Sequence, residues 1–476
     1  MSVVLDRGAG ETPGTPPRPV PRLYPLSVTP PSEPLRLPRF ILQFVRNPLL
    51  SVPEPVYHEA IVAHATARNR VAWIADPALI KDVLLDRREL FPKTPLEKRV
   101  LGPLLGNGIL TSEGADWRWQ RQAVAPLFRH AELLRYVPAM SRAAEAMLEE
   151  WSEVGTPAPR AIDRDMTRLT FRVITDTLMP GGEAHVGAAI ERASGDYLGP
   201  ISWAFAYGIL RLPVWTPHPG RRRMRRAERL LRTSVGALIA ERRRSPAGHD
   251  DLFTRLSAAR HPETGAPISD ELLLDTLLTF LMAGHETTAK TLTWTLYLLS
   301  QSRHWSERLR REIGEVAGKA PIGPEHIDRL QLTQQVVKES MRLYPPAPFL
   351  TRYAARDVML GGRLLTAGTL INIPIFALHR HRRLWDDPDR FDPDRFAPPH
   401  EARIARTQFM PFGAGPRICV GAAFAQIEAT ALLATLIRGA SFALAGAHVP
   451  VPVARVTLGP AGGMPMRVAV RANPSG

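Results

Sequence analysis

Cys419 is the only cysteine in this chain of 476 residues. One cysteine cannot form an internal disulfide or build a multi-cysteine zinc or iron–sulfur site. It can still be a buried small hydrophobic residue, a nucleophile, or a single soft ligand to a metal that something else holds. Glycines at 413, 415 and 421 would let the backbone approach a ligand closely, and Arg417 offers a planar cation. A helical run follows the loop, so a thiolate here would lie at a helix N-terminus, which favours negative charge.

A second candidate for chemistry lies inside the longest predicted helix, Asp270–Ser300. Ser269 is the predicted N-terminal cap, and leucines on nearly every face predict burial in the middle of a domain. Residues 283–288 read Ala-Gly-His-Glu-Thr-Thr. Glycine costs about 1 kcal/mol in a helix, and an unpaired buried carboxylate costs more, so this segment is expected to serve chemistry. The alternative is a threonine bonded to the carbonyl four residues earlier, with the glutamate at the surface.

Both segments resemble motifs of the cytochrome P-450 superfamily. Residues 412–421 match its haem-binding loop, Phe-x-x-Gly-x-Arg-x-Cys-x-Gly, at every fixed position. Residues 283–288 match its oxygen-activation motif, Ala/Gly-Gly-x-Asp/Glu-Thr-Thr. The resemblance implies that Cys419 is the metal ligand, binding the iron of haem b as a thiolate. It also implies these cofactor-binding residues: Trp117, Arg121, Ala283, Gly284, Arg352, Phe412, Gly415, Arg417, Cys419 and Gly421.

By the same resemblance, the catalytic residues are Glu286 and Thr287. In this family such an acid relays protons from solvent, and such a threonine donates a hydrogen bond to the oxygen being activated. Ala283 and Gly284 are expected to leave room over the haem for oxygen and substrate. His285 occupies the variable position of the motif, and we expect a structural role for it.

The two haem propionates need cations or hydrogen-bond donors. Arg417 is the first candidate because it lies in the cysteine loop. Trp117 and Arg121 lie one helical turn apart and can face the same way, and the family uses such a pair on the propionates. Arg352 occupies a further propionate position of the family. Phe412 is expected to shield the thiolate edge of the ring.

A supporting network is expected on the cysteine side. Glu339 and Arg342 lie three residues apart on one predicted helix face, where they can pair. The family joins such a pair with an arginine at the position of Arg395, and this buried network holds the fold rather than doing chemistry. His379 and His381, in an arginine-rich stretch, are expected to lie on the surface near the same side.

The whole chain predicts a mainly α fold with small peripheral β-sheets, and the resemblance implies the cytochrome P-450 fold. Helical periodicity dominates residues 117–342. A hairpin is expected where residues 59–65 and 71–74 flank Arg68-Asn69, followed by a short helix over 78–86. Further strands are expected at Val358–Leu360, 364–365 and 370–374, with a last hairpin between residues 441 and 471.

One domain is expected after a short leader. Residues 1–38 are rich in proline and lack apolar periodicity, which predicts an extended or disordered leader, and residues 39–476 predict a single haem-thiolate monooxygenase domain. No run approaches the ~18 apolar residues of a transmembrane segment. Residues 37–50 are basic and apolar enough to rest on lipid, although two prolines interrupt them. A single free cysteine suits a reducing compartment, so we expect a cytoplasmic protein.

The net charge indicates which binding partners to expect. The formal charge is +15, and arginines are densest in residues 221–232, which predict an amphipathic helix with a solvated basic face. No nucleic-acid-binding motif accompanies them, so nucleic acid is not expected. A basic surface suits an acidic electron donor, and the family typically uses a ferredoxin or flavodoxin with its NAD(P)H-dependent reductase.

These expectations together predict a haem-thiolate monooxygenase that inserts one oxygen atom from O2 into an apolar small-molecule substrate. A peroxide-driven or isomerising haem-thiolate enzyme usually lacks the acid–alcohol pair, and a non-catalytic haem protein would not need it, whereas this chain keeps both residues. The resemblance places the substrate between residues 95–112, 197–207, 348–350 and 462–464. Fatty acid, terpenoid, sterol-like and polyketide ligands all stay open.

Overall fold

Helices dominate the computed structural model, which describes residues 22–65, 70–154, 158–178, 184–244, 251–261 and 263–471. Most of the longer helices have an amphipathic or fully apolar pattern that buries at least one face. The described α-helices are α1 (Leu37–Arg46), α2 (Pro77–Lys81), α3 (Pro95–Leu105), α4 (Gly114–Val124), α5 (His130–Leu133), α6 (Val137–Val154), α7 (Ile162–Leu178), α8 (Ala184–Leu198), α9 (Ile201–Ile209), α10 (Arg221–Arg244), α11 (Leu252–Ser257), α12 (Asp270–Ser300), α13 (Arg303–Ala317), α14 (Pro324–Ile327), α15 (Gln331–Leu343), α16 (Ile375–Leu378), α17 (Pro398–Glu401) and α18 (Ala422–Gly439).

Helix α12 lies at the centre of the fold and has the predicted bounds. The Ser269 hydroxyl accepts a hydrogen bond of 3.2 Å from the Leu272 N–H, which confirms the predicted cap. Helix α7 packs along it, and the Thr170 hydroxyl donates to the His285 carbonyl across that interface (2.8 Å). Helices α10, α15 and α18 also pack against α12, so its middle is enclosed by protein on several sides.

The strands form small sheets at the edge of the helical body, as predicted. Strands β1 and β2 are the predicted hairpin, β2 runs parallel to β7, and β7 pairs antiparallel with β4. The connection at 66–69, with the predicted Arg68-Asn69 turn, lies outside the described residues. The strands are β1 (Ile61–Ala65), β2 (Arg70–Ile74), β3 (Arg160–Ala161), β4 (Leu350–Tyr353), β5 (Val358–Leu360), β6 (Arg363–Leu365), β7 (Leu370–Ile373), β8 (Ala440–Leu444), β9 (Pro452–Ala454), β10 (Leu458–Pro460) and β11 (Pro465–Val470).

Two local predictions hold with small changes. The last hairpin is confirmed, because β8 pairs antiparallel with β11, and a second pair, β9 with β10, lies between them in sequence. The helix predicted at 78–86 begins as α2, where the Asp76 carboxylate accepts from two backbone N–H groups. It continues through residues 82–86 with wider π-type turns.

The N-terminal segment is attached to the body where the structure describes it. Residues 1–21, most of the predicted leader, lie outside the described residues. Residues 22–36 contain no helix or strand, yet the Tyr344 hydroxyl donates to the Leu26 carbonyl (2.7 Å) and the Phe391 N–H donates to the Leu23 carbonyl (2.9 Å). Among the described helices, none combines the length and the apolar character that crossing a bilayer requires.

Helix α10 is the predicted arginine-rich amphipathic helix. Its buried stripe contains Met224, Leu231 and Ile239, at the spacing that one face of a helix requires. Its arginines at 222, 225 and 226 are exposed. The helix therefore packs with its apolar side and presents its positive charge to solvent.

Candidate active site

Backbone hydrogen bonds shape the cysteine loop. The Cys419 N–H donates to the Phe412 carbonyl (2.9 Å), and the Ile418 N–H donates to the Gly415 carbonyl (3.0 Å). Gly415 has a φ of +75°, which favours glycine, and a side chain there would place its Cβ 2.3 Å from the Leu84 carbonyl oxygen. The loop is therefore fixed both internally and against the turn at 82–86.

Cys419 has exposed surface in a region where protein surrounds much of the residue. Burial raises the pKa of its thiol although the residue is exposed, as expected of a side chain at the wall of a recess. The Gly421 N–H and the Arg121 guanidinium oppose this rise, because each stabilises the thiolate. A Cβ on Gly421 would lie 3.9 Å from the sulfur, so this glycine is in direct contact with the site.

Helix α12 supplies a second wall of open space. Ala283 is exposed although most of the helix around it is buried, and Thr287, one turn further, is partly exposed. The Thr287 hydroxyl donates to the Ala283 carbonyl (2.8 Å), which is the back-bond that the sequence offered as the structural alternative. This bond uses the hydroxyl proton and leaves the oxygen lone pairs free to accept another proton donor.

Gly284 serves the packing of α7 rather than the open space. A Cβ on this glycine would lie 3.2 Å from the terminal methyl carbon of Ile174 on α7. Glu286 is half-buried at the edge of the helix. His285 is fully enclosed, with its ring edge-on to Phe171 of α7 (5.3 Å between centroids), and burial lowers its pKa. The structural role expected for this histidine agrees with these contacts.

Phe128 joins the cysteine loop to α12. Its ring atom Cε1 would lie 3.9 Å from a Cβ on Gly421, and its ring lies edge-on to Phe280 of α12, 5.5 Å between centroids. The two walls therefore meet through one aromatic side chain. Sequence reasoning missed this residue because no motif contains it.

The three arginines predicted for the propionates bond only to carbonyl groups. Arg121 donates to the Ile418 carbonyl (2.8 Å), Arg417 to the Ser112 carbonyl (2.9 Å) and Arg352 to the Thr351 carbonyl (2.7 Å). Within the part of the chain that the structure describes, none of the three forms an ion pair with a carboxylate. The Arg417 guanidinium also lies over the ring of Trp117, 4.3 Å from its centroid.

Arg352 and Arg417 lie close enough to each other and to Lys93 to affect one another's pKa values. Burial lowers the pKa of Arg417, Glu113 opposes this, and Arg352 lowers it further. Burial likewise lowers the pKa of Lys93, and both arginines add to that effect. Lys93 pairs with Glu97 at 3.0 Å. The sequence gave no signal for Lys93, since it lies in no motif.

These observations fit a thiolate-bound haem. A sulfur and an alanine border open space in an otherwise buried region, and an anionic ligand would give the arginines the acidic partners that they lack. Phe412 is half-buried beside the loop, and its carbonyl already fixes the Cys419 N–H. Of the two small residues of α12 that the resemblance implies for the haem, Ala283 is exposed, whereas Gly284 faces Ile174 of α7.

The predicted supporting network is present beneath the cysteine loop. Arg342 and Glu339 are fully buried and form two parallel hydrogen bonds of 2.6 and 2.8 Å. The Arg395 Nε lies 3.6 Å from the same carboxylate. The Asp392 N–H also donates to it (2.8 Å), so Glu339 ties the segment around 392 to α15.

The expected surface position of His379 and His381 was wrong. Both rings are buried, because Arg342 donates to the His379 carbonyl (2.7 Å) and draws this segment into the network. The His379 Nε2 accepts from the Met410 N–H (3.0 Å), just before the cysteine loop. Burial, and then Arg342, lower its pKa to about 3, so the ring stays a neutral acceptor. The arginines around both histidines resembled a solvated surface in the sequence.

Glu428 is a further buried acid that sequence reasoning missed. It lies on α18 with 1% of its surface exposed, nine residues after Cys419. Burial raises its pKa to about 8, with a smaller opposing effect from the Thr288 hydroxyl of α12. The signal in the sequence was a single acid within an otherwise apolar helix.

The expected substrate region is partly anchored to α12. The Asn107 N–H donates to the Asp275 carboxylate (2.8 Å), which also pairs with Arg232 of α10 (2.9 Å). Tyr197 belongs to the core, since it is buried and donates to the Val100 carbonyl (2.9 Å). The other aromatic residues of the segment are half-buried. They are Trp203, Phe205 and Tyr207.

Comparison with known proteins agrees with this geometry. The model of the Cytochrome P-450 family matches residues 31–460. Cyclooctat-9-en-7-ol 5-monooxygenase of Streptomyces melanosporofaciens is 35% identical over 82% of this chain and 84% of its own. Pentalenene oxygenase of Streptomyces avermitilis is 33% identical, over 83% and 87%. An 11-oxo-beta-amyrin 30-oxidase of Glycyrrhiza uralensis is 30% identical, over 85% and 81%.

Proposed function

The chain belongs to the cytochrome P-450 family of haem-thiolate oxidoreductases, and on that premise we propose that it inserts one oxygen atom of O2 into an apolar terpenoid-like substrate. The observation that carries the proposal is the exposed Cys419 in its glycine-rich loop, which Phe128 links to Phe280 of α12, one turn before the exposed Ala283. A buried structural cysteine would have no accessible surface to offer a ligand.

We assign haem b as the cofactor, held by its propionates. Bound haem would supply the oxygen-activating iron, and the Cys419 thiolate is its protein ligand. Arg352 and Arg417, with Arg121 on the cysteine side, form no ion pair with any carboxylate of the described ranges and are suited to bind the propionates. The Gly421 N–H and Arg121 stabilise the thiolate form of the sulfur and so oppose the effect of burial on the pKa of the thiol.

We assign proton delivery to Glu286 and Thr287. Glu286 is half-buried, so its carboxylate can take a proton from solvent and still reach the interior. The Thr287 hydroxyl lies beside the exposed Ala283, and its lone pairs are free to accept a hydrogen bond. Rotation away from the Ala283 carbonyl would release its proton for donation into the site.

The substrate class and the electron donor complete the proposal. Members of this family use a redox partner, an apolar substrate and O2. Two relatives are named for their substrates, cyclooctat-9-en-7-ol and pentalenene. These names favour a terpenoid among the ligands that the sequence left open. The net charge of +15 favours an acidic ferredoxin or flavodoxin as donor. A location in the cytoplasm would keep the single thiol reduced.

The reaction class is tested by the spectrum of the reduced, carbon monoxide-bound protein. The unmodified chain is expected to show the red-shifted Soret band of thiolate ligation, and Cys419→Ser is expected to lose it. No other cysteine can replace the ligand. Ile418→Ala, at the adjacent exposed position, is the matched control and should keep the band. Absence of the red-shifted Soret band from the unmodified chain would overturn the proposal.

The proton-delivery role is tested by coupling. Thr287→Ala is expected to lower the product formed per NADH consumed about tenfold, with a surrogate ferredoxin and reductase and a substrate found by its effect on the ferric spin state. Thr287→Ser keeps the hydroxyl and should restore most of the coupling. Equal coupling in the alanine variant and the unmodified protein would contradict the role.

A further inference from the structure

Helix α12 has a ridge that runs from a covered end to an open end. Residues at steps of four form a continuous ridge on a helix, and here they are Asp275, Thr279, Ala283 and Thr287. Ala283 is exposed and Thr287 is partly exposed, whereas the first two members are buried. The open space beside Ala283, which the proposed function gives to the substrate, therefore stops at the covered half of the ridge.

The covered half lies under residues 106–112, which we call the α3–α4 loop. Two glycines let this loop lie directly on the helix. A Cβ on Gly106 would overlap the Asp275 carboxylate, and a Cβ on Gly108 would overlap the Thr279 hydroxyl. Gly106 also has a φ of +51°, which favours glycine. A larger residue at either position would therefore push the loop off the ridge.

The C-terminal end of the α3–α4 loop is attached away from α12. Lys93 donates to the Leu110 carbonyl (2.6 Å), and Arg417 of the cysteine loop donates to the Ser112 carbonyl (2.9 Å). The Ser112 N–H donates in turn to the Gly108 carbonyl (2.9 Å), so the loop is also bonded within itself. These bonds hold one end of the loop whatever the other end does.

Asp275 attaches the N-terminal end of the loop and α10 to α12 at once. Its carboxylate accepts from the Asn107 N–H (2.8 Å) and from Arg232 of α10 (2.9 Å). Arg232 also donates to the Leu104 carbonyl at the end of α3 (2.9 Å). Among the hydrogen bonds of the described residues, the one from Asn107 to Asp275 joins the loop to α12. The other bond at Asn107, from the Gln120 side chain to its carbonyl (2.9 Å), leads to α4.

The burial of this ion pair favours a role in positioning. The side chain of Asp275 is 4% exposed and that of Arg232 is 27% exposed. A buried pair adds little to stability, because removing the charges from water costs about as much as their attraction returns. A buried carboxylate that loses a donor is nevertheless costly, so the pair favours one arrangement of the three elements. Arg232 still reaches solvent, which lets it separate and return.

We propose that Asp275 is a positioning residue for ligand exchange, whose carboxylate holds the α3–α4 loop and α10 on α12. An apolar ligand enters or leaves the space beside Ala283 when these bonds separate. The inference rests on the proposed function, which places the substrate in that space. Lys93 and Arg417 keep the far end of the loop attached, so the loop opens at Asn107. Weakening these bonds therefore speeds entry and exit alike, and changes the affinity little while the closed arrangement predominates.

The test is stopped-flow binding of 4-phenylimidazole, whose imidazole nitrogen binds ferric haem iron, to the full-length haem-loaded protein. Asp275→Asn keeps the shape of the side chain but turns an NH2 group toward a donor, so one bond is lost. We expect its association and dissociation rate constants both to rise about tenfold, with a dissociation constant within about threefold of the unmodified value. Gly106→Ala keeps the charge, lifts the loop from the ridge and should raise both rate constants as well. Carbon monoxide is small and should bind the reduced variants at an unchanged rate.

Each variant has a matched control on α13. The Glu312 carboxylate also accepts from a backbone N–H of another segment, that of Thr333 (2.9 Å), so Glu312→Gln weakens a comparable contact. Gly318 ends α13 with a φ of +54°, and no described atom lies within 4 Å of a Cβ built there. Gly318→Ala therefore adds the backbone strain of Gly106→Ala without its overlap. Both controls should exchange 4-phenylimidazole like the unmodified chain.

Two results would overturn the proposal. One is exchange of 4-phenylimidazole in the Asp275 and Gly106 variants that is no faster than in their controls. The other is a rise in the dissociation rate constant alone, since the loop would then be a wall that contacts the ligand. The red-shifted Soret band of the carbon monoxide complex is expected in every variant. Its loss from the unmodified chain as well would be a failure of the proposed function, which the exchange rates do not decide.

Discussion

The cysteine loop and the aromatic segment of α9 are held by different forces. Around Cys419, backbone hydrogen bonds, a glycine with positive φ and a fully buried ion pair fix each segment against its neighbours. Around α9, the aromatic residues are half-buried, and ring contacts such as Trp203 with Tyr207 (6.4 Å) hold them. Ring contacts tolerate small shifts, whereas buried charges require particular partners.

This difference suits two tasks. A thiolate ligand and its supporting charges must keep one geometry, because a displaced charge inside a protein has no water to stabilise it. A wall for an apolar ligand can adapt, because apolar contacts are not directional. We therefore expect substitutions on the cysteine side to change stability and haem content most. Those at the partly exposed positions of α12 and α9 should change stability least.

Arg342→Ala is expected to have the largest effect. It leaves the Glu339 carboxylate fully buried with the Asp392 N–H (2.8 Å) and a more distant cation, Arg395 at 3.6 Å. It also removes the donor to the His379 carbonyl. Breaking a buried pair from one side costs about 3–5 kcal/mol of the free energy of unfolding. Urea unfolding measures this loss, and haem absorbance per protein should fall with it. Arg395→Ala keeps the Glu339–Arg342 pair and should lower the free energy of unfolding by less. Equal losses in the two variants would contradict the role given to the buried pair.

Glu428→Gln is expected to stabilise the protein at alkaline pH. The folded chain keeps this carboxyl protonated up to about pH 8, whereas its ordinary pKa is 4.5. Unfolding therefore releases a proton between these pH values, and the free energy of unfolding falls as the pH rises from 4.5 to 8. Glutamine has no proton to release, so the variant should gain on the order of 3 kcal/mol at pH 8.

Urea unfolding at pH 5 and at pH 8 checks this prediction. The gain from Glu428→Gln should be small at the lower pH and largest at the higher one. Glu315→Gln, on the exposed side of α13, is the matched control. An equal gain in stability at both pH values would mean that the packing of the glutamine side chain, and not the protonation of Glu428, causes it.

The sequence predicted the parts of the fold and of the site that depend on local sequence patterns. Helix α12 had the predicted bounds because Ser269 and a long apolar run mark them, and the Glu339–Arg342 pair is set by helical spacing. The burial of His379 could not be predicted, since it depends on an arginine 37 residues away. The Thr288 hydroxyl that influences the pKa of Glu428 is likewise on another helix. Contacts between distant segments follow from packing, which periodicity does not contain.

The smallest effect is expected from Gly284→Ala on α12. Alanine gains about 1 kcal/mol of helix propensity, and its Cβ meets only the end of the Ile174 side chain, 3.2 Å away. A small shift of that side chain costs about as much, so the free energy of unfolding should stay within about 1 kcal/mol of the unmodified value. Gly415→Ala is the matched variant on the cysteine side, where the neighbour is a backbone oxygen at 2.3 Å. Urea unfolding and haem absorbance should show a loss for Gly415→Ala alone. If Gly284→Ala cost as much, the contact between α7 and α12 would be as rigid as the cysteine loop, and the contrast between the two sides would not hold.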